Sequence, residues 1–307
     1  LQTLGKWYAR HGITSFCPTT MTLPEEILGK CMGVIKEYRR PEDGAKLAGV
    51  NLEGPFVSRE KCGAQNPDYV QKPDIGMLER LQEESGGAVR LITVAPESEG
   101  AVEFIRKASK SGITVSVGHT ACTYETAREA FEAGAGNLTH LYNAMPPLHH
   151  RKPGPIAAAA DAGISAELIC DGLHVHPAMV RMAFRMFGEK LVLISDSLRC
   201  AGMPDGDYML GGQLVTLSAG VARLSGTDTI AGSSIHLMEA VRRAAGFGIP
   251  LEAAVYAATE APAKVLHREG QIGRIAENYP ADLAVLDREL NVKSVYIDGK
   301  QVSGISS

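Results

Sequence analysis

A chain of 307 residues, 45% apolar and 21% charged, has the make-up of a globular enzyme built as one large domain or as a domain with a small appendage. Its net charge of −4 gives no basis for a nucleic acid or an anionic membrane surface as partner, and no run of 18 or more apolar residues offers a spanning helix. Six scattered cysteines, Cys17, Cys31, Cys62, Cys122, Cys170 and Cys200, form no CxxC pair, which predicts reduced thiols and a cytoplasmic protein.

The chain opens on "LQTLGKWYARHGITSF", a helix feeding a strand, with neither a starter Met nor a signal-like n-region, so a chain cut inside a domain is expected. Strands are then predicted at 12–20, 46–54, 89–97, 112–120, 136–144, 164–172 and 190–196. Helical stretches such as "EGAVEFIRKASKSG" and "YETAREAFEAGA" lie between them, each with the glycine that a helix C-terminus favours. Strand–helix repetition of this kind predicts a parallel sheet covered by helices.

Polar residues decide between an open sheet and a barrel. Glu53, His119, His140, His174 and Asp196 all fall at the C-terminal ends of predicted strands or just beyond them. A barrel gathers every such end around one mouth, whereas an open sheet gathers only its switch point. The expected fold is therefore α/β, a (β/α)8 TIM-type barrel spanning 1–267 and lacking its first strand, which would precede Leu1. Past Asp196 a Gly-rich stretch predicts a β-hairpin insertion at about 203–230, followed by helices at 233–247 and 251–267. Residues 268–307 show short strands and turns without a helical period, and are expected to form a small β domain remnant.

A metal site needs donors converging from rigid elements. Divalent ions accept imidazole and carboxylate, and a catalytic site keeps one position open for water. Glu53, His119 and His140 supply that donor set from the ends of three predicted strands, the two histidines on successive ones. Singly, each has a structural alternative, a paired core carboxylate or a satisfied core histidine; the shared position on several strands favours the metal. Asp196 ends the apolar run "LVLISD" and suits proton transfer, with a helix N-cap as its competitor. His174, in "DGLHVHP", is placed to bind a substrate oxygen, while His176 beside Pro177 is given no role. Arg151, in "LHHRKPG", offers a guanidinium fork for an anion, or is a basic surface turn. "GAQNP" and "TIAGSS" let backbone amides approach a ligand. No nucleotide-binding glycine motif is present.

Taken together and in order, "GVNLEGPFVSREKCGAQNP", "VSVGHT", "NLTHLYNAMPPLHHRKPG", "DGLHVHP", "LISD", "AGSS" and the tail "GQIGRIAENYPADLAVLD" resemble the N-acetylglucosamine-6-phosphate deacetylase family of the amidohydrolase superfamily. The resemblance implies metal ligands at Glu53, His119 and His140 and a general base and acid at Asp196. It implies sugar-phosphate contacts at Ala64, Asn143, Ala144, Arg151 and His174, and a closing segment at Thr229, Ile230 and Ala231. It implies one or two divalent ions, zinc or iron first and manganese or cobalt as alternatives, together with a homodimer. Two features depart from the family: the HxH-type motif of its first strand is not found, and Gln65 stands where many relatives carry a His that contacts the substrate. Another amide hydrolase of the superfamily, or a sugar-phosphate-binding barrel without turnover, are the competing readings.

Overall fold

The structure, a computed structural model, describes residues 1–304, so the last three residues of the expected 268–307 appendage lie outside the described residues. Helix α1 (Gln2–Arg10) leads into β1 (Ser15–Phe16) and β2 (Thr19–Thr20), then α2 (Glu25–Lys36), β3 (Lys46–Leu47) and β4 (Val50–Glu53). Alternation continues through α3 (Ile75–Glu84), β5 (Val89–Val94), α4 (Ala101–Lys110), β6 (Thr114–Val117), α5 (Tyr124–Glu132) and β7 (Asn137–Leu138). It ends with α6 (Gly154–Ala162), β8 (Ser165–Ile169), α7 (Pro177–Phe187) and β9 (Leu191–Ile194).

The main sheet is parallel, in the order β2-β4-β5-β6-β7-β8-β9, with β1 paired to β3 below it. Each of the first two predicted strands is thus present as two pieces, one broken at Cys17–Pro18 and the other at Ala48–Gly49. Proline has no amide proton for a ladder, yet its carbonyl serves: Pro18 O accepts from Asn51 N at 3.0 Å, so the paired path continues across the break. All seven predicted strands are therefore found.

Period-two alternation explains how the sheet builds both a core and a site. Val50, Leu52, Ile92, Val94, Val115, Val117, Leu138 and Leu168 pack outward against Leu28 and Met32 of α2, Leu78 and Leu81 of α3, and Phe104 and Ile105 of α4. Each such buried aliphatic side chain contributes about 1.5–3 kcal/mol of transfer free energy, which is why this face carries the stability. Residues between them face the other way. Low on that inner face, Leu91 and Val192 pack with Ala261, Val265 and Leu266. Higher up, the inner face turns polar: Thr93, Thr139, Ser116, Asn137 and Glu167 form one hydrogen-bonded belt across four strands. A cavity of about 790 Å³ lies beside it, lined by Cys17, Pro18 and Thr19 on one edge and by Val192 to Ser197 on the other, with Glu53, His140 and Glu167 in its wall.

After β9 the expected hairpin is instead a four-stranded antiparallel sheet, β10 (Gly206–Leu210), β11 (Gln213–Ser218), β12 (Val221–Leu224) and β13 (Ile230–Gly232). Helix α8 (Leu237–Gly246) follows. The helix expected at 251–267 is two, α9 (Leu251–Ala258) and α10 (Glu260–Val265), hinged at Thr259. Pro262 has no N–H for the Ala258 carbonyl, so one continuous helix cannot pass that point unbroken. The tail forms an antiparallel sheet of β14 (Leu283–Leu286), β15 (Val292–Ile297) and β16 (Lys300–Gly304). All six cysteines are free thiols. No helix of the described residues is long and apolar enough to cross a membrane.

Gly54 shows how tightly the end of β4 is built. Its φ is +98°, and a Cβ there would lie 2.1 Å from Thr22 Oγ1 and 3.1 Å from the Thr22 Cα. Gly54→Ala is expected to cost about 2–5 kcal/mol through combined strain and overpacking, read as a fall in the urea midpoint.

Candidate metal centre and active site

The ends of β4, β6 and β7 bring Glu53, His119 and His140 together. Glu53 Oε1 lies 2.7 Å from His119 Nε2 and 3.2 Å from His140 Nε2, and the two imidazole nitrogens are 3.0 Å apart. The Lys61 carbonyl can only accept, and it lies 2.8 Å from His119 Nδ1, so the proton of the neutral ring sits on Nδ1. That leaves the His119 Nε2 lone pair aimed at a carboxylate oxygen 2.7 Å away. Two acceptors at that distance repel unless a positive charge lies between them. A tetrahedron with ligand bonds of about 2.0–2.1 Å has edges of about 3.3 Å, the scale of these three separations. The donor set of one carboxylate and two imidazoles fits a divalent cation, and these three are the group of the described residues whose ligand atoms converge within 4.8 Å.

The local backbone is bent to make this possible. His119, His140 and Asp196 have φ of +45°, +27° and +48°, in the region where non-glycine residues are uncommon. Each turns the chain sharply two residues past the last paired residue of β6, β7 or β9, and Tyr142 and Ala144 turn again after His140. For that reason the strand predicted at 136–144 pairs only at Asn137–Leu138.

Charge in the site follows from burial and these contacts. Burial works to raise the Glu53 carboxyl, but the demand for positive charge between it and the imidazoles of His119 and His140 outweighs burial and holds it below the usual carboxylate range. Burial works to lower His140, yet Glu53, followed by the charges of Asp196 and Glu167, brings it to about 9. Asp196 is raised, first by burial and then by the Glu53 charge. The helix that would make Asp196 an N-cap does not follow it; its carbonyl instead accepts from Ser233 N at 2.8 Å, and Ser197 bridges to Ser233. The "AGSS" segment therefore lies directly beside Asp196.

The other expected residues divide into two groups. Asn143 Nδ2 donates to the carbonyls of His140 and Leu141, at 3.2 and 3.1 Å, and Ala144 O accepts from Thr120 N at 3.1 Å, so both are bound into the turns around the histidines. Ala64 O accepts from Gln213 Nε2 at 2.5 Å, which ties its loop to the inserted sheet. Thr229 and Ile230 lie where β13 begins, paired against Leu224 and Arg223, and Ala231 follows within that strand. His174 stands against Asp171, with Nδ1 and Oδ2 2.6 Å apart. Arg151 is not drawn into the cluster: it is exposed and its contacts are to His149 and His150. Gln65 is buried and its Oε1 accepts from Thr22 N at 2.7 Å, so this departure from the family serves the β2 turn. His176 caps α7, accepting from Ala178 N, which accounts for it without a role in the site.

Three residues escaped the sequence reading. Glu97 accepts from Thr120 Oγ1 and Ala121 N, at 2.5 and 2.6 Å, and pins the turn after His119. Glu167, on the inner face, is pushed up to about 7, first by burial, while Asn137 donates to it at 2.8 Å. A lone Glu inside the run "ISAELIC" was its available signal. Asp171, in "DGLHVHP", was visible only as the neighbour of His174.

Comparison with known proteins identifies the family. The amidohydrolase family model matches residues 8–302. An N-acetylgalactosamine-6-phosphate deacetylase of Escherichia coli O157:H7 is 36% identical over 306 residues, 99% of this chain and 81% of that protein. An N-acetylglucosamine-6-phosphate deacetylase of Danio rerio is 37% identical over 97% of this chain and 76% of its own length. Among solved structures, a point mutant of the Mycobacterium smegmatis N-acetyl-D-glucosamine-6-phosphate deacetylase, in complex with N-acetyl-D-glucosamine-6-phosphate, superposes with a TM-score of 0.92 at 38% identity, covering 97% of this chain and 78% of that one. The chain belongs to the amidohydrolase family and, within it, to the amino-sugar-6-phosphate deacetylases that these relatives represent.

Proposed function

We propose that this protein hydrolyses the acetamide of N-acetylglucosamine 6-phosphate, releasing acetate and glucosamine 6-phosphate. The observation that carries the reading is the convergence of Glu53, His119 and His140, with the His119 lone pair turned on the Glu53 carboxylate, in the same buried charge network as Asp196. Glu53, His119 and His140 would hold a divalent ion, zinc or iron foremost, with manganese and cobalt also suited to the donors. Such an ion, once bound, lowers the pKa of water from about 15.7 towards about 7 and offsets negative charge developing on the acetyl oxygen. Asp196 accepts the proton of the attacking water and delivers it to the departing nitrogen. His174 meets a hydroxyl of the sugar, Arg151 offers its guanidinium to the phosphate, and Asn143, Ala144 and Ala64 supply backbone and amide contacts around the ring. Thr229, Ile230 and Ala231, leading towards Ser233 beside Asp196, close over the substrate.

The same reading takes the parallel sheet as seven strands of a (β/α)8 barrel spanning 1–267, with the cavity between β2 and β9 as the place for one further parallel strand, and 268–307 as part of a small β domain. A homodimer and a cytoplasmic setting belong to it, the latter supported by six free thiols.

The E. coli relative raises the C4 epimer as a second substrate. Acetate release from the 6-phosphates of N-acetylglucosamine and N-acetylgalactosamine, and from both sugars without phosphate, tests the assignment. A charge-assisted contact of about 1.5–3 kcal/mol predicts about a tenfold to hundredfold preference for the phosphorylated sugar. Equal rates with and without phosphate would remove Arg151 and the sugar-phosphate reading, and faster galactosamine turnover would reassign the epimer.

A further inference from the structure

We infer that Asp171 is a positioning residue that fixes His174 as a hydrogen-bond acceptor towards a hydroxyl of the sugar, an inference that rests on the amino-sugar reading above. Asp171 Oδ1 accepts the backbone N–H groups of Leu173 and His174, both at 2.8 Å, while Oδ2 lies 2.6 Å from His174 Nδ1. A carboxylate has no proton to give, so the neutral imidazole carries its hydrogen on Nδ1 and its lone pair on Nε2. The Asp171 side chain is only 2% exposed, which denies water a share of that contact.

The turn is held from outside as well. Arg243 donates to the Asp171 carbonyl through Nη1 and to Glu239 Oε1 through Nη2, the latter at 2.5 Å, so α8 anchors the loop. Gly172 has φ +73°, and a Cβ there would lie 3.0 Å from Phe247 Cζ, so the chain reverses where only glycine fits easily. Asp171, Gly172 and His174 thus form one rigid unit. Its remaining polar atom, His174 Nε2, makes no hydrogen bond within the described residues, and the loop follows β8 at the same end of the sheet where Asp196 follows the neighbouring parallel strand β9. A lone pair presented in that position takes a donor. In an N-acetylated sugar phosphate the neutral donors are the ring hydroxyls and the acetamide N–H, and the amide is occupied by the chemistry.

Asp171→Asn tests this because the amide keeps the shape of the carboxylate but can donate to Nδ1, which turns His174 into the Nε2–H tautomer. Long-range proton–nitrogen NMR on the resting protein should show an unprotonated Nε2 in the wild type and a protonated Nε2 in Asp171→Asn. Turnover of N-acetylglucosamine 6-phosphate should fall about tenfold to a hundredfold in kcat/KM in the variant. The 3-deoxy and 4-deoxy analogues complete the cycle: one of them should lose a similar factor in the wild type and show little further loss in Asp171→Asn. An Nε2–H tautomer in the wild type overturns the inference, even should the variant fail to fold. So does an equal loss on the parent sugar and both analogues, which marks a purely structural aspartate, or the absence of any loss. Wild-type protein that shows the expected tautomer yet releases no acetate from either amino-sugar phosphate defeats the proposed activity instead.

Discussion

Asp196→Asn is expected to lower kcat by about a hundredfold to ten-thousandfold while the metal content of the protein stays at the wild-type level. The carboxylate is assigned both halves of the proton transfer, acceptance from water and donation to nitrogen, and an amide can perform neither. Asparagine keeps the volume, and it is one of the residues that best tolerate the left-handed backbone at this position, where φ is +48°. Folding should therefore be preserved, and a drop in rate reports chemistry. Steady-state acetate release beside elemental analysis reads both quantities. A variant within threefold of the parent rate would take Asp196 out of the mechanism and leave the buried carboxylate Glu167 as the next residue to test.

Loss of the ion should be larger still. Chelation is expected to bring acetate release to background, and zinc, iron(II), manganese or cobalt to restore it to different degrees. His140→Ala should resist restoration at stoichiometric metal, because Glu53 and His119 alone offer two donors where three converge now. Glu53→Gln separates charge from shape: it keeps an oxygen near both imidazoles but removes the negative charge that attracts the cation. Its metal affinity should fall more than its fold stability. Full activity in exhaustively chelated protein would end the metal-dependent account.

Much of the candidate site was legible in the primary structure because a parallel sheet places residues that can converge at one kind of position, the C-terminal ends of its strands. Glu53, His119 and His140 could be found by asking which polar residues end apolar runs. The rest was hidden for physical reasons. Thr93, Ser116, Asn137, Thr139 and Glu167 are separated in the chain and become neighbours only when four parallel strands set their inner faces side by side. Hydropathy reads such strands as uniform core, since the outward residues dominate the average. The inserted sheet at 206–232 was read as one hairpin because its turns are glycine-rich throughout, and glycine marks a turn without saying how many strands it joins. The break at Thr259 was visible through Pro262 and passed over because helical periodicity continues on both sides of it.

The left-handed turns at His119, His140 and Asp196 set selection for hydrolysis against selection for folding. Each asks a side chain to occupy backbone space that glycine would fill at lower cost, about 1–3 kcal/mol per residue. A lineage relieved of the need for this reaction would be expected to shed these three side chains early, drifting to glycine or asparagine there while the outer aliphatic layer persisted. Relatives of this chain that have lost their activity should be recognisable by a relaxed rim above an intact shell.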